Sequence, residues 1–271
     1  MAVPAAQVNS KSGRQAEMKT SLAVLMLLGA MVSTDYARAQ TISTDEAAAL
    51  FSQARDAFQK QDFANGLSKL RPAAEAGNAE AQAMLAQAYA SGDQGVARDY
   101  AQALMWNKKA ATQGNARAHL NLAMMYRDGQ GVPKDNATAL AEFTAAATMG
   151  DMKAPRYLGL AAEADGDFDK AATFYREGAA RGDITSQYYL GRAYELGLGV
   201  AQDYAQAFAW YSKSAERGDH VASDGMVGLA GLYERGLGVP KDVAKAISLY
   251  QQAAATGNET AKAALQRSDI K

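Results

Sequence analysis

Two histidines are the first candidates for chemistry in this chain of 271 residues, His119 and His220. A zinc site needs three or four His, Cys or carboxylate ligands at defined spacings, and the histidines stand far apart. Cysteine does not occur, which excludes thiol nucleophiles, thiolate metal sites and disulfides. The Gly-x-Ser-x-Gly motif of serine hydrolases does not occur either. We therefore predict no catalytic residues and no metal ligands, and we interpret both histidines as ordinary surface or groove residues.

Recurring aspartates are compatible with two kinds of site, calcium loops or helix caps. Each stands alone, four residues before Ala or Gly and fifteen before Gly, whereas a calcium loop places several oxygen ligands close together. A solitary Asp ahead of a helical segment is typical of an N-cap, whose carboxylate accepts hydrogen bonds from free backbone N–H groups. We predict caps. The six residues are Asp62, Asp99, Asp135, Asp167, Asp203 and Asp242.

Glycine pairs of the form Gly-x-Gly lie between predicted helices and lack the Lys-Ser/Thr of a phosphate-binding loop, so we interpret them as turns. They predict no cofactor. A second set of glycines, each followed by Asn or Asp, recurs at steps of 37, 36, 32, 36 and 39 residues. A period in the range of roughly 20–50 residues indicates a repeat architecture. This set consists of Gly77, Gly114, Gly150, Gly182, Gly218 and Gly257.

Each period contains two segments with helical spacing. In the second repeat, Met84, Leu85 and Tyr89 form one apolar stripe, and a glycine-containing loop then interrupts the helix. Asp99 begins the next helix, and Gly114 ends it, as glycine commonly does. The aromatic residues Tyr89, Tyr126, Tyr194 and Tyr233, with Trp106 and Trp210, keep fixed positions in the repeat. We therefore assign them to the core and not to a ligand-binding cage.

The shared motif, A-x-x-x-L-[AG]-x-x-Y-x-x-G-x-G-V-x-x-D-x-x-x-A-x-x-[WY], resembles the Sel1-like repeat, a helical hairpin related to the tetratricopeptide repeat. Four units match it closely. The first and fourth lack the Gly-x-Gly-Val loop and have Ala57 and Ala162 in place of the tyrosine. The resemblance implies an all-α, right-handed α/α solenoid of about six hairpins with a C-terminal capping helix. The expected units are 45–78, 79–115, 116–151, 152–183, 184–219 and 220–258, followed by a cap at 259–271.

The N-terminal 39 residues have the pattern of an extension followed by a cleaved secretory signal peptide. An apolar run at residues 22–32 is too short for a bilayer span, which needs about 20 residues. Ala37-Arg38-Ala39 resembles a cleavage site, after which the solenoid would occupy residues 40–271. Either Met1 or Met18 is the start. We expect an exported bacterial protein, periplasmic or secreted, with no stable membrane insertion after cleavage.

Resemblance to tetratricopeptide-type hairpins places a concave groove on the first helix of each unit. The groove positions lie six and two residues before the repeated tyrosine and one residue after it. A mixed apolar and arginine-rich groove suits a peptide or protein segment with some acidic character. The alternative is a solvated face that carries a few arginines. The predicted groove residues are Leu120, Met124, Arg127, Arg156, Leu160, Tyr188, Arg192 and Glu195.

The resemblance further implies a non-catalytic adaptor or regulator in the cell envelope, for example a partner of a signalling receptor, that binds a protein or peptide. The net charge of −1 gives no reason to expect nucleic acid. One alternative is an enzyme of the β-lactam-hydrolysing type found among cysteine-rich members, which the absence of cysteine weakens. The other is an envelope assembly factor.

Overall fold

The computed structural model describes residues 42–93 and 95–267. Over these ranges the chain forms thirteen α-helices and one 3-10 turn, with no β-strand, which confirms the all-α prediction. The predicted signal peptide, residues 1–39, lies outside the described residues. None of the helices within these ranges has the length and apolarity that a membrane span requires. The chain divides into two compact units, with the boundary between Arg98 and Asp99.

The first unit contains three helices, α1 (Thr44–Gln59), α2 (Phe63–Glu75) and α3 (Ala79–Ser91). Helices α1 and α2 form a hairpin joined by a short turn, as the sequence predicts for the first repeat. Gly66 on α2 lets the two helices approach closely, because a Cβ there would lie only 2.8 Å from the Phe58 ring. Alanines and leucines such as Leu70 and Leu85 fill the core, so the packing is tight and depends on small residues.

The second unit holds the remaining ten helices, which alternate between the first and second helix of successive hairpins. Helix α13 supplies the predicted C-terminal cap and buries Ala261 and Ala264. A 3-10 turn, His220–Ala222, precedes α11. The helices are α4 (Tyr100–Ala111), α5 (Ala116–Asp128), α6 (Asn136–Thr148), α7 (Ala154–Ala164), α8 (Phe168–Ala180), α9 (Ile184–Leu196), α10 (Tyr204–Ala215), α11 (Ser223–Arg235), α12 (Val243–Ala255) and α13 (Glu259–Gln266).

The six repeated aspartates are helix N-caps, as predicted. The Asp99 carboxylate accepts hydrogen bonds from the backbone N–H groups of Ala101 at 2.9 Å and Gln102 at 3.0 Å. The other five cap α2, α6, α8, α10 and α12 in the same way. The six repeated glycines all have positive φ, between 67° and 98°. Local backbone chemistry therefore sets where each second helix begins and ends.

The most buried aromatic position differs from the one that the sequence singles out. The repeated tyrosines, such as Tyr194, are half-buried, and so is Trp210, whereas Trp106 is buried as predicted. Full burial occurs one residue after the tryptophan position, where Phe143, Tyr175, Tyr211 and Tyr250 are at most 5% exposed. The Tyr211 ring lies between Gly191 of α9 and Gly228 of α11, where an added Cβ would be 2.7 and 2.6 Å from the ring. Glycine on the flanking helices thus makes room for the ring.

The second glycine of each Gly-x-Gly loop packs on the start of the preceding repeat's second helix. An added Cβ at Gly199 would lie 2.0 Å from the Phe168 carbonyl oxygen, and one at Gly238 would lie 2.7 Å from the Tyr204 backbone. Aromatic residues hold this contact position wherever the next repeat has the loop: Tyr100, Phe168 and Tyr204, and also Phe63, which faces a loop with two residues between Gly92 and Gly95. Asn136 holds it before the fourth repeat, which has no such loop.

Candidate functional site

Two cavities in the second unit collect five of the eight predicted groove residues. The charged cavity, of about 440 Å³, lies between α9, α11 and Arg267, and Tyr188, Arg192 and Glu195 line it. The apolar cavity, of about 430 Å³, lies between α6 and α7, with Arg127 and Leu160 in its lining. Both volumes fall in the range of roughly 300–1,000 Å³ that is usual for ligand sites.

Tyrosine, glutamate and arginine form repeated hydrogen-bonded sets along the charged cavity. The Tyr211 hydroxyl donates to Glu195 at 2.6 Å, and Arg235 donates to the other oxygen of the same carboxylate at 2.5 Å. One repeat later, the Tyr250 hydroxyl donates to Glu234 at 2.9 Å. Arg267 binds both oxygens of Glu234, at 2.6 and 2.7 Å. Each carboxylate therefore holds one buried hydroxyl and one guanidinium.

A third set lies one repeat earlier, where Glu163 accepts from Tyr175 at 2.7 Å and from Arg192 at 2.8 Å. We call the three sets the Tyr–Glu–Arg ladder. Each set draws its tyrosine from the second helix of one repeat and its arginine from the repeat or cap that follows, so the ladder joins neighbouring repeats. Its members are Tyr175, Glu163 and Arg192; Tyr211, Glu195 and Arg235; and Tyr250, Glu234 and Arg267.

Electrostatics keep the ladder tyrosines protonated. Burial, together with the carboxylate of Glu234, raises the pKa of Tyr250 to about 12. Burial and a neighbouring glutamate also raise the pKa values of Tyr175 and Tyr211. These hydroxyls are hydrogen-bond donors at neutral pH and are poorly matched to acid–base catalysis, which favours a pKa near the working pH. The arrangement suits positioning and binding.

Glycines on α11 shape the floor of the charged cavity. Gly228 and Gly231 line it on the side of α11. A Cβ at Gly231 would come within 3.3 Å of an Arg235 terminal nitrogen and 3.8 Å of the Tyr250 hydroxyl. The guanidinium groups and hydroxyls therefore surround open space without an intervening side chain.

Apolar and aromatic side chains form the second cavity. Phe143 and Tyr157 stack with their ring centroids 4.8 Å apart, and the Arg127 guanidinium lies 5.3 Å from the Tyr157 centroid. The Arg127 guanidinium also forms a bidentate ion pair with exposed Asp128, in which two of its nitrogens donate to the two carboxylate oxygens at 2.7 and 2.8 Å. Leu140 is 43% exposed at the cavity wall. Sequence reasoning missed Leu140, Phe143 and Tyr157, because none occupies a first-helix groove position with the predicted spacing.

Arg156 has a structural partner, which the groove prediction does not anticipate. Its side chain is only 14% exposed and pairs at 3.2 Å with Asp183, which is 6% exposed. Asp183 caps α9 by accepting from the Ser186 backbone N–H at 2.9 Å. Leu120 and Met124 are half-buried and pack against the core around Phe143. These three predicted residues lie outside the linings of both cavities.

The two histidines have separate partners. His119 Nδ1 lies 2.7 Å from the Glu142 carboxylate, and His220 Nδ1 lies 3.2 Å from the Thr256 carbonyl oxygen. Among residues 42–93 and 95–267, no three His, Asp or Glu side chains are arranged to hold a metal ion. Each histidine instead connects two helical segments that are distant in the sequence.

Comparison with known proteins shows the family. The Sel1 repeat model matches residues 79–115, 116–151, 156–183, 184–219 and 223–258, more than half of the chain. The chain therefore belongs to the Sel1 repeat family, whose members generally mediate protein–protein interactions and are typically non-catalytic scaffolds. The predicted first unit, 45–78, lies outside the matched ranges, although its two helices form a hairpin.

Two solved structures are similar over most of the chain. One is c5321, a protective antigen present in uropathogenic Escherichia coli strains, with 33% identity and a TM-score of 0.68. The match covers 83% of this chain and 50% of that protein. The other is a Sel1 repeat protein from Oxalobacter formigenes, with 28% identity and a TM-score of 0.70. That match covers 80% of this chain and 86% of the other.

A curated relative matches over a shorter range. DAP3-binding cell death enhancer 1 of Rattus norvegicus is 36% identical over 81 residues, which make up 29% of this chain and 16% of the rat protein. The chain thus spans about half the length of the E. coli antigen, and its match covers about a sixth of the rat protein.

Proposed function

We propose that this protein is an adaptor that binds a segment of a partner protein across the charged and apolar cavities of its second unit. One observation carries the proposal: five residues predicted from sequence spacing line two cavities of similar size in one repeat array. A merely solvated face, the alternative interpretation, would not require open cavities lined by partly buried Tyr and Arg side chains. These residue types supply much of the binding energy at protein interfaces.

The charged cavity favours a partner segment with acidic groups. It contains three arginines, Arg192, Arg235 and Arg267, and two glutamates. Arg235 donates to Glu195 and to the Gly231 carbonyl oxygen, and its side chain is about half exposed, so its remaining N–H donors can bind a further acceptor. Salt screens such exposed charges over about 10 Å at 0.1 M, so affinity for an acidic segment should fall as salt rises.

We place this adaptor in the periplasm or outside the cell. The support is the apolar run at residues 22–32 followed by Ala37-Arg38-Ala39 in the sequence. An envelope location would make the partner another exported protein or the outer domain of a receptor. The family assignment supports protein binding in general, and the choice of partner rests on the chemistry of the cavities.

Capture followed by measured affinity tests the adaptor function. Crosslinking in the envelope fraction would identify the partner, and titration would then compare wild type with a double variant, Arg192→Ala and Arg235→Ala. We expect at least tenfold weaker binding, because an interface arginine at a hot spot contributes about 2 kcal/mol. Unchanged affinity at both low and high salt would contradict the proposal.

A matched control removes two positive charges elsewhere. Arg176 and Arg217 are exposed and line neither cavity. The double variant Arg176→Ala and Arg217→Ala should bind the partner as wild type does. A loss equal to that of the cavity variant would show that only net charge matters and that the cavities do not form the binding surface.

A further inference from the structure

The apolar cavity has an equivalent position one repeat later, and that position is closed. Between α8 and α9 the open volume is only about 10 Å³, against about 430 Å³ between α6 and α7. The walls correspond residue by residue at a spacing of 32 positions. Asn136, Leu140, Phe143, Tyr157 and Leu160 in the open cavity correspond to Phe168, Ala172, Tyr175, Tyr189 and Arg192 in the closed one.

The loop between α9 and α10 closes the later position. This loop runs over seven residues, 197–203, and Leu198 lines the small residual space. The neighbouring Gly199 packs against the Phe168 backbone so tightly that a Cβ would lie 2.0 Å from its carbonyl oxygen. The chain thus places a leucine from a glycine-flanked loop over the wall formed by α8 and α9.

The fourth repeat lacks this closing element. Only three residues, 165–167, connect α7 to α8, so no Gly-x-Gly loop reaches the start of α6. At the contact position, Asn136 replaces the aromatic residue on which such a loop packs elsewhere. The apolar cavity is therefore the space that a loop fills in the next repeat.

Apart from Asn136, the compared side chains of the open cavity are no more polar than their counterparts in the closed one. Leu160 takes the position of Arg192, and Phe143 takes that of Tyr175, so the ladder is absent here. Leu140 is 43% exposed, whereas its counterpart Ala172 is 1% exposed beneath the loop. An aliphatic wall that stays in contact with water loses the favourable free energy of burial. A ligand that covers it would regain this energy.

We propose that the apolar cavity binds a turn or extended segment of a partner protein that inserts a leucine-like side chain, in the place that Leu198 fills one repeat later. Arg127, exposed Asn136 and exposed Asp165 lie on the rim, where they can hydrogen-bond to the backbone of that segment. This proposal rests on the adaptor function and names the residue type that its apolar cavity selects.

A peptide taken from the chain itself tests the inference. The probe is the blocked peptide of residues 196–203, which contains Leu198, titrated into the full chain while NMR shifts are followed. We expect saturable changes at Leu140, Tyr157 and Leu160. The peptide with Leu198→Ala should bind at least fivefold more weakly. No saturable shift at millimolar peptide, equal binding of both peptides, or shifts centred on the charged cavity would overturn the proposal.

Two protein variants distinguish binding at this site from non-specific hydrophobic binding elsewhere on the surface. Leu160→Arg copies the residue at the closed position, and it should remove peptide binding. Val221→Arg makes the same change in polarity at a 48% exposed residue outside both cavities, and it should leave binding intact. If Leu160→Arg unfolds the protein, a second variant replaces residues 165–166 by a copy of 197–202. This grafted loop should close the cavity and abolish binding with helix content retained.

The outcome is distinguishable from failure of the adaptor function. If the captured partner loses affinity with Arg192→Ala and Arg235→Ala but not with Leu160→Arg, the adaptor function stands and the leucine site is wrong. If Leu160→Arg instead converts an oligomer to a monomer in sedimentation, a second copy of the chain occupies the cavity, and that also overturns the proposal.

Discussion

Arg156 illustrates how tertiary contacts change the role of a residue. Its helical position predicts a groove residue that is free to contact a partner. The structure pairs it with Asp183, whose carboxylate also accepts from the backbone N–H and hydroxyl of Ser186. Removing the guanidinium would leave a nearly buried carboxylate without its cation, which costs more than the loss of an exposed pair.

We therefore expect substitution of Arg156 to lower the stability of the fold. Arg156→Ala should lower the free energy of unfolding by about 2–4 kcal/mol, because it leaves the Asp183 carboxylate buried and unpaired. The control, Arg127→Ala, breaks a pair with Asp128 in which both side chains are over a third exposed, and it should cost about 1 kcal/mol or less. Urea denaturation measures both. Similar losses in the two variants would argue against a structural role for Arg156.

Tyr250 offers a test of the ladder through pH. Its pKa is about 12 in the folded protein and about 10 when unfolded, so the stabilisation is complete below pH 10. As pH rises from about 10 towards 12, the unfolded state releases its proton first and stability falls. Tyr250→Phe should flatten this fall. Denaturant titrations at pH 8 and pH 11 provide the measurement, and an unchanged alkaline loss in the variant would contradict the assignment.

At the scale of the element, the Gly-x-Gly loop is a packing device as well as a turn. The aromatic residue after the capping Asp and the second glycine of the next repeat's loop form one contact. This pairing explains why the contact position holds Asn136, and not an aromatic residue, where the following repeat has no loop. The same absence opens the apolar cavity.

Alanine substitutions at two glycines distinguish the cost of a side chain at positive φ from the cost of steric overlap with a neighbouring helix. Gly150→Ala changes a residue with φ 92° and no neighbour within 4 Å, so it should cost about 1–2 kcal/mol. Gly199→Ala has φ 67° and would also collide with the Phe168 backbone. Overpacking typically adds about 1–3 kcal/mol, so the total should be about 2–5 kcal/mol. Thermal or urea unfolding that ranks the two variants equally would refute the loop contact.

For the molecule as a whole, the proposed export would decide where the proposed adaptor acts. The predicted cleavage follows Ala39, so protein purified from the envelope should begin at Gln40 or within a residue or two of it. N-terminal sequencing of the purified protein checks this directly. Replacing Ala37 and Ala39 by bulky residues should block processing, because the cleavage site requires small side chains. Recovery of uncleaved wild-type protein in the cytoplasm would contradict the location.

The repeat and the ends of its second helices follow from local features of the sequence. Capping by Asp99 or Asp203 and chain reversal at Gly150 depend on atoms within a few residues, so spacing alone predicts them. The C-terminal capping helix follows from local apolar spacing in the same way. Each of these features agrees with the described structure.

Tertiary contacts, in contrast, determine which groove positions are open. The Arg156–Asp183 pair joins residues 27 apart, and the ladder joins Glu195 to Arg235 across 40 residues. The apolar cavity exists because a loop is missing at 165–167, while Leu198 fills the corresponding space one repeat later. A residue's spacing in the repeat assigns it to a helix face. Whether that face is covered depends on the shape of neighbouring repeats. Burial results from close packing between segments that lie far apart in the sequence.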